Sequence, residues 1–166
     1  WVEIIDPKAK HVDEAHQHAS LQVKDGLPIV DDYGWRHDDK DLPQNEELVI
    51  YEILVHDFSG GEDDPYPRGQ FKHIIEKLDY LSDLGINAIE LMPVQEFPSD
   101  EGWGYNTQHY FAVESSYGTS KDLKKLVDEC HGRGIRVILD IILNHSDSEA
   151  PLTKIDYEYW YRREPK

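Results

Sequence analysis

The chain has 166 residues, of which 39% are hydrophobic and 11% aromatic, and its formal net charge is −17 at pH 7. Disordered chains are usually poor in aromatic side chains, so this composition argues for a folded domain. The negative charge argues against nucleic acid and against an anionic membrane surface as partners, because both are bound through clustered Lys and Arg.

Cys130 is the only cysteine, which excludes an internal disulfide bond and a cysteine-based metal site. The sequence contains no apolar run long enough to span a membrane. It opens at Trp1 without a Met or a signal-peptide pattern, so we expect a chain that was processed or cut from a longer protein. These features leave the localisation open.

Residues 1–47 are acidic and have weak apolar periodicity, which is typical of an irregular segment. Val23 and the pair Ile29-Val30 could form short strands. Three histidines lie in the same segment, without the fixed short spacing of a metal site, and we predict a solvated loop for them: His11, His16 and His18.

From residue 48 onward the pattern predicts the order β-α-β-loop-α-β. The three strand-length apolar runs cover residues 48–55, 87–91 and 135–143. Between the first two runs, a helix with one apolar face is predicted from Phe71, Ile74, Ile75, Leu78, Leu81 and Leu84, and Gly85 would end it. Residues 92–118 are predicted to form a long polar and aromatic loop.

Thr119 and Asp122 predict the start of the second helix, as N-cap and third helical residue. Its inner face would consist of Leu123, Leu126, Val127 and Cys130. Near-continuous apolar strands that alternate with amphipathic helices predict an α/β fold with a parallel sheet. Three strands leave exposed edges, so we expect the opening part of a larger barrel or doubly wound domain, and an isolated chain that associates, swaps or unfolds. Residues 149–166 are predicted as a loop or short helix.

Polar residues follow each predicted strand, at the ends where parallel α/β sheets place their ligand sites. The third strand is followed by Asp140, Asn144 and His145, and the long loop contains Trp103 and Tyr105. Aromatic faces beside such polar groups suit a sugar ring, which has apolar C–H faces and hydroxyl edges. Two alternatives stay open: Asp140 could be a satisfied buried acid, and Trp103 and Tyr110 could pack the loop onto the sheet.

The sequence motifs of several other reaction classes are absent from this chain. The pair Gly60-Gly61 has neither the spacing of a dinucleotide loop nor the Lys of a P-loop, and no G-x-S-x-G elbow is present. A catalytic triad of Ser146, His145 and Asp147 is not expected, because neighbours in sequence rarely face one another productively.

Several segments between residues 47 and 151 occur in the order of a known family. They are residues 48–52, residues 85–93, the runs Trp103-Gly-Tyr-Asn and Tyr117-Gly-Thr, and the pattern Asp140-x-x-x-Asn144-His145. In these segments the chain resembles the α-amylase family of (β/α)₈-barrel glycoside hydrolases, family 13. The resemblance implies that residues 48–166 are the N-terminal part of a (β/α)₈ barrel of the TIM type. Residues 1–47 would be the end of a β-sandwich glucan-binding domain and its linker.

The resemblance also implies roles for individual residues. Tyr105 would stack on the glucosyl ring at the cleavage subsite, His145 would bond the hydroxyls of that sugar, and Trp103 would contribute to substrate binding. Asp140 would orient the polar network at the strand end. Asn144 is a calcium ligand in many members of the family, which makes Ca²⁺ the one cofactor that the resemblance implies.

The implied function is retaining hydrolysis of α-1,4-glucosidic bonds in starch or glycogen. In the family the catalytic acids lie on later strands, so we expect the nucleophile and the acid beyond Lys166 and no activity from this chain alone. A glucan branching enzyme and a trehalose-releasing enzyme are alternatives that share these segments. A non-catalytic carbohydrate-binding or scaffold protein is an alternative of another class.

Overall fold

The structure is a computed structural model that describes residues 1, 3–13, 18–21, 23–29, 33–60, 68–98 and 102–162. It contains two compact units that interleave along the sequence. The sheet unit consists of residues 30–92 and 116–140, and the pocket unit of residues 1–29, 93–115 and 141–166. The predicted loop residue His16 and the predicted strand residue Val30 lie outside the described residues. The proposed division into residues 1–47 and 48–166 stays a prediction.

The described strands are, in chain order, β1 (Val23–Lys24), β2 (Leu27–Pro28), β3 (Ile50–Ile53), β4 (Ala88–Leu91), β5 (Gln95–Glu96), β6 (His109–Val113) and β7 (Arg136–Leu139). The described α-helices are α1 (Val55–Phe58), α2 (Phe71–Glu76), α3 (Leu78–Asp83), α4 (Ser120–Gly132), α5 (Pro151–Ile155) and α6 (Tyr157–Trp160). Short 3₁₀ helices cover Asn45–Glu47 and Ser115–Tyr117.

The sheet unit is built on a parallel sheet in the order β3-β4-β7. The register aligns Ile53 with Leu91 and Leu91 with Leu139. Ile53, Ile89 and Leu91 are buried, so the central strand and its neighbour supply much of the core. The predicted α/β class with a parallel sheet is confirmed.

Two of the predicted strands were too long. The run 48–55 forms a strand only over Ile50–Ile53, and the run 135–143 only over Arg136–Leu139. Each strand pairs along the four residues of β4, so apolar residues beyond that length have no partner in the ladder. Val55 begins α1 instead, and Ile141 and Leu143 are exposed.

The helix predicted from residue 71 to residue 84 is interrupted. Lys77, with φ −103° and ψ 2°, separates α2 from α3. The predicted buried face continues on both sides of this break, and its fully buried residues are Phe71, Ile74, Leu78 and Leu81. Leu84 is exposed, so its assignment to that face was wrong.

α4 begins as predicted. Thr119 Oγ1 accepts a hydrogen bond from Asp122 N at 3.2 Å, and Asp122 Oδ2 accepts one from Thr119 N at 2.9 Å. Leu126 and Cys130 are fully buried. Burial raises the pKa of the Cys130 thiol to about 12, which makes this cysteine a packing residue rather than a reactive one.

A buried carboxylate on α4 holds residues 33–37 in place. Asp128 accepts hydrogen bonds from the backbone and the guanidinium of Arg36, at 3.0 and 2.9 Å, and from His37 N at 3.0 Å. Tyr33 donates a fourth at 3.1 Å. Burial alone would raise the pKa of Asp128, but the bonds from Arg36, His37 and Tyr33 lower it to about 2.

The described residues of the pocket unit form two antiparallel hairpins. β1 and β2 pair across Asp25-Gly26, whose φ values of 52° and 78° fit a type I′ turn, so the strand predicted at Val23 is confirmed and Ile29 lies outside it. β5 and β6 pair within residues 92–118, which were predicted to form a long polar and aromatic loop, so this hairpin was not predicted. The C-terminal residues form α5 and α6, in agreement with the predicted short helix.

Two buried glutamates hold the second hairpin. Glu96 accepts hydrogen bonds from Ser115 N at 2.9 Å and Ser115 Oγ at 3.1 Å, and Glu114 accepts one from Phe97 N at 3.1 Å. Burial and, next, the charge of Glu114 raise the pKa of Glu96 to about 8, although the bonds from Ser115 oppose the shift. Glu96 is therefore mainly protonated at neutral pH.

Candidate functional site

A pocket of about 500 Å³ opens on the surface of the pocket unit. Its described lining residues are Phe97, Pro98, Gly102, Trp103, Gly104, Tyr105, Asn106 and His145. The pocket brings together three residues predicted to bind substrate, Trp103, Tyr105 and His145, although His145 is about forty positions away from the other two in the sequence. Trp103 stands at the rim with 66% of its surface exposed.

Hydrogen bonds hold His145 against the aromatic segment. His145 Nε2 donates to the carbonyl oxygen of Tyr105 at 2.8 Å, and the hydroxyl of Tyr110 donates to the carbonyl oxygen of His145 at 2.7 Å. A carbonyl can only accept, so Nε2 carries the proton and Nδ1 is the acceptor of the neutral ring. The bond from Tyr110 favours a supporting role for this residue. Desolvation raises the pKa of its phenol, which keeps the hydroxyl available as a donor.

Asn106 and Asp147 form a second connection between the segment that carries Tyr105 and the segment that carries His145. Asn106 Nδ2 donates to Asp147 Oδ2 at 2.6 Å, and Asp147 N donates to the carbonyl oxygen of Thr107 at 2.9 Å. Asp147 also caps its own turn, where Oδ1 accepts from Glu149 N at 2.7 Å. The buried carboxylate of Asp147 therefore fixes the segment that carries His145 to the segment that carries Tyr105.

Gly104 lets the chain pass close to Pro93 between the two aromatic residues. Its φ is +85°, and a Cβ atom at this position would lie 2.6 Å from the carbonyl oxygen of Pro93. A side chain would meet both the conformational cost of positive φ and a clash with backbone. Glycine therefore allows Trp103 and Tyr105 to take their places in the pocket wall.

The wall of the pocket combines flat apolar surfaces with neutral polar groups. None of its described lining residues carries a carboxylate, and the titratable side chains among them are those of Tyr105 and His145. Such a wall can hold a neutral ring that has an apolar face and hydroxyl edges. Hydrolysis of a glycoside with retention needs, in addition, two carboxyl groups about 5–5.5 Å apart.

Asp140 and Asn144 are not among the residues that line this pocket. Asp140 follows β7 in the sheet unit, where its N–H donates to the carbonyl oxygen of Leu91 at 2.9 Å. Asn144 is exposed in the pocket unit. The predicted role of Asp140 in orienting a polar network stays a prediction.

The described residues contain no group of three or more His, Cys, Asp or Glu side chains that could hold a metal ion. Ca²⁺ takes six to eight oxygen ligands, often from carboxylates, so this part of the chain does not supply the acidic cluster for a calcium site at Asn144. In the predicted histidine loop, His18 Nδ1 lies 2.8 Å from Asp13 Oδ2. The solvated loop around these histidines stays a prediction.

Ser146, His145 and Asp147 do not form a triad. Ser146 Oγ contacts the hydroxyl of Tyr161 and the carbonyl oxygen of Asp147, whereas His145 and Asp147 bond to Tyr105 and Asn106. The sequence prediction had not assigned Asn106 or Asp147 to the site. The only signal for them was their position, one residue after Tyr105 and two residues after His145.

No helix within the described ranges is both long enough and apolar enough to cross a membrane.

Comparison with known proteins places the chain beside carbohydrate-active enzymes. Residues 33–162 match the family model of the α-amylase catalytic domain. The chain is 35% identical over 149 residues to the malto-oligosyltrehalose trehalohydrolase of Saccharolobus solfataricus, covering 89% of this chain and 24% of that enzyme. It is 36% identical over 170 residues to the 1,4-alpha-glucan branching enzyme of Nitrosomonas europaea, covering 96% of this chain and 22% of that enzyme.

A solved structure has the same fold over nearly all of the chain. It is a crystal structure of a candidate α-amylase from Salmonella typhimurium, with a TM-score of 0.80 and 31% sequence identity. The match covers 98% of this chain and 26% of that protein. The chain thus spans about a quarter of the length of the proteins it matches.

Proposed function

The chain belongs to the α-amylase family of glycoside hydrolases, and we propose that the protein hydrolyses α-1,4-glucosidic bonds of starch or glycogen with retention of configuration. The observation that carries this proposal is the pocket in which Trp103, Tyr105 and His145 meet. Its neutral aromatic and polar wall suits a glucosyl ring. The parallel sheet β3-β4-β7 would be the first part of the (β/α)₈ barrel that supports the site.

In this proposal the pocket binds and orients the sugar at the cleavage subsite. The ring of Tyr105 stacks on the apolar face of the glucosyl unit, and Trp103 extends the aromatic surface at the rim. His145 meets a sugar hydroxyl through Nδ1, because Nε2 donates to the Tyr105 carbonyl. Orientation of this kind lowers the barrier by placing the reacting bond near its attacking group.

The nucleophile and the acid would lie outside these 166 residues. The buried acids beside the described pocket are already engaged, since Glu96 accepts bonds from Ser115, and Asp147 accepts bonds from Asn106 and Glu149. Their engagement supports a division in which this part of the protein binds sugar and another part cleaves the bond. Calcium binding at Asn144 stays a prediction, and no step of the mechanism depends on it.

Kinetics of the full-length protein on amylose test the proposal. We expect Tyr105→Ala and His145→Ala to lower kcat/KM by about 10- to 100-fold, because each removes a group that orients the sugar. Phe111→Ala is a matched control, since Phe111 is an exposed aromatic residue of the pocket unit that does not line the pocket. Absence of any product from amylose with the wild-type protein would refute hydrolysis.

A second candidate function is the release of trehalose, which the 35% identity to a malto-oligosyltrehalose trehalohydrolase favours. Product analysis separates the candidates. Short linear maltooligosaccharides from amylose support the hydrolase, free trehalose from malto-oligosyltrehalose supports the second candidate, and new α-1,6 branches support a branching enzyme. Glucan binding without any product would point to a non-catalytic protein.

The 166-residue chain by itself should be inactive. We expect no release of reducing sugar from amylose by the purified chain, because no carboxyl group lies among the described residues that line the proposed site. A reducing-sugar assay with the full-length protein as positive control measures this. Hydrolysis by the chain that Tyr105→Ala abolishes would contradict the prediction.

A further inference from the structure

We propose that Asp147 is a positioning residue that turns the amide of Asn106 so that its Oδ1 accepts a hydrogen bond from a hydroxyl of a bound α-glucan. Asn106 would thereby be a specificity-determining residue of the pocket. The inference rests on the function proposed above, and it adds a binding group and the residue that orients it.

The carboxylate of Asp147 cannot turn freely. It is 8% exposed, and each of its oxygens accepts a hydrogen bond, Oδ1 from Glu149 N at 2.7 Å and Oδ2 from Asn106 Nδ2 at 2.6 Å. The bond from Asp147 N to the carbonyl oxygen of Thr107, 2.9 Å long, fixes the backbone as well. Asp147 is therefore a rigid acceptor beside the pocket.

A rigid acceptor determines the orientation of the Asn106 amide. A carboxylate can only accept, so the NH₂ end of the amide must face it, and the two ends cannot be exchanged without placing oxygen against oxygen. Asn106 is exposed and lines the pocket beside Tyr105. Its Oδ1 is then the end of the amide that a ligand can meet.

The pocket consequently offers two acceptors to a ligand when the imidazole is neutral, Asn106 Oδ1 and His145 Nδ1. Both are positioned by bonds between the same two segments, Asn106 to Asp147 and His145 to Tyr105. A ligand with several hydroxyl donors on one edge matches such a pair. A glucosyl unit has this chemistry.

Calorimetric titration of the full-length protein with maltoheptaose tests the inference. We expect Asn106→Ala and Asp147→Ala each to weaken binding by about 3- to 10-fold, the effect of losing one neutral hydrogen bond. The double alanine variant should bind no more weakly than either single variant, because both substitutions remove the same contact. Additive losses would overturn the proposal.

An exchange of the two side chains makes the test independent of any damage to the fold. In the double variant Asn106→Asp/Asp147→Asn, the amide at position 147 can donate to the carboxylate at position 106, which restores the bond in the reverse direction and keeps an acceptor for the ligand. We expect its affinity to lie within about twofold of the wild type. Asn106→Asp alone places two carboxylates together and should bind at least about 3-fold more weakly. An exchange variant as weak as Asn106→Asp would overturn the proposal.

Two comparisons complete the experiment. Asp83→Asn makes the same chemical change at an exposed carboxylate of α3 and should leave binding unchanged.

If Asp147 had only a structural role, affinity would follow the melting temperature of each variant, whereas a positioning role lets the exchange variant recover affinity at any melting temperature. If the wild type fails to bind maltoheptaose, the proposed function fails. If the wild type binds and Asp147→Ala binds equally well, this inference alone fails.

Discussion

Asp128 joins residues 33–37 to α4 through a carboxylate with no exposed surface. We expect Asp128→Ala to lower the free energy of unfolding by about 3 kcal/mol, because it removes the acceptor shared by Arg36, His37 and Tyr33. Urea denaturation measures the change. Glu129→Gln is the matched control, since its partly exposed ion pairs should be worth at most about 1 kcal/mol. Equal losses in both variants would contradict this assignment.

Glu96 gives the pocket unit a dependence on pH. Its pKa is raised from 4.5 to about 8, by burial first and by Glu114 next. The pKa of Glu96 is higher in the folded than in the unfolded state, so protonation of Glu96 stabilises the fold. This contribution to the free energy of unfolding is fully present below pH 4.5 and is lost as the pH rises through 8. We therefore expect the melting temperature to fall over this range.

Glu96→Gln should remove that part of the pH dependence, since a neutral amide does not ionise. Melting curves recorded by circular dichroism across the range test this, with Glu76→Gln as control because Glu76 is exposed on α2. An unchanged slope in Glu96→Gln would show that other groups cause the dependence.

At the scale of elements, the segment between Trp103 and Tyr105 depends on a single glycine. We expect Gly104→Ala to cost at least about 2 kcal/mol and to weaken glucan binding, because positive φ and contact with Pro93 both oppose a Cβ. Gly85 has a φ of +87°, and an added Cβ would have no atom within 4 Å. Gly85→Ala therefore meets the conformational cost of positive φ without a clash, and it should lower the free energy of unfolding by about 1 kcal/mol. Thermal melting compares them, and equal losses would exclude the clash.

Elements with a repeating apolar pattern could be predicted from the sequence. The pair Thr119 and Asp122, together with an apolar face, predicted α4, and a short apolar run predicted β4. The hairpin β5-β6 was missed because β5 has only two residues, both polar, and the hydrogen bonds from Ser115 to Glu96 leave no periodic signal in the sequence. The break at Lys77 was also missed, since a change of ψ at one residue leaves the apolar spacing of α2 and α3 intact.

For the molecule as a whole, the sheet edges decide how the isolated chain behaves. β3 and β7 each pair only with β4 among the described residues, and Ile50 and Leu139 on them are 48% and 47% exposed. We expect the 166-residue chain to self-associate as its concentration rises, because open edges and apolar surface promote pairing between copies.

Size-exclusion chromatography with light scattering measures this association. Ile50→Lys should reduce it by placing a charge on the edge strand, and Leu84→Lys is the control because it makes the same change on an exposed residue outside the sheet. A monomer at all concentrations would contradict the prediction.

The site was only partly predictable at this scale. Tyr105, Trp103 and His145 were assigned by the order of segments resembling a family, and the structure brings them into one pocket. The bond between Asn106 and Asp147 could not be predicted, because it joins residues 41 positions apart and leaves no periodic signal. Contacts of that kind depend on the folded path of the chain.

The same long-range bonds bear on the order in which the molecule folds. The hydrogen bonds of His145 and Asp147 close loops of 35 to 41 residues, whereas the capping bonds of α4 span three. Closing a longer loop costs more entropy, so α4 can form while the pocket is still open. During synthesis, the aromatic segment must wait for His145 to leave the ribosome. Until then the segment that carries Tyr105 and Asn106 lacks the hydrogen bonds that join it to His145 and Asp147.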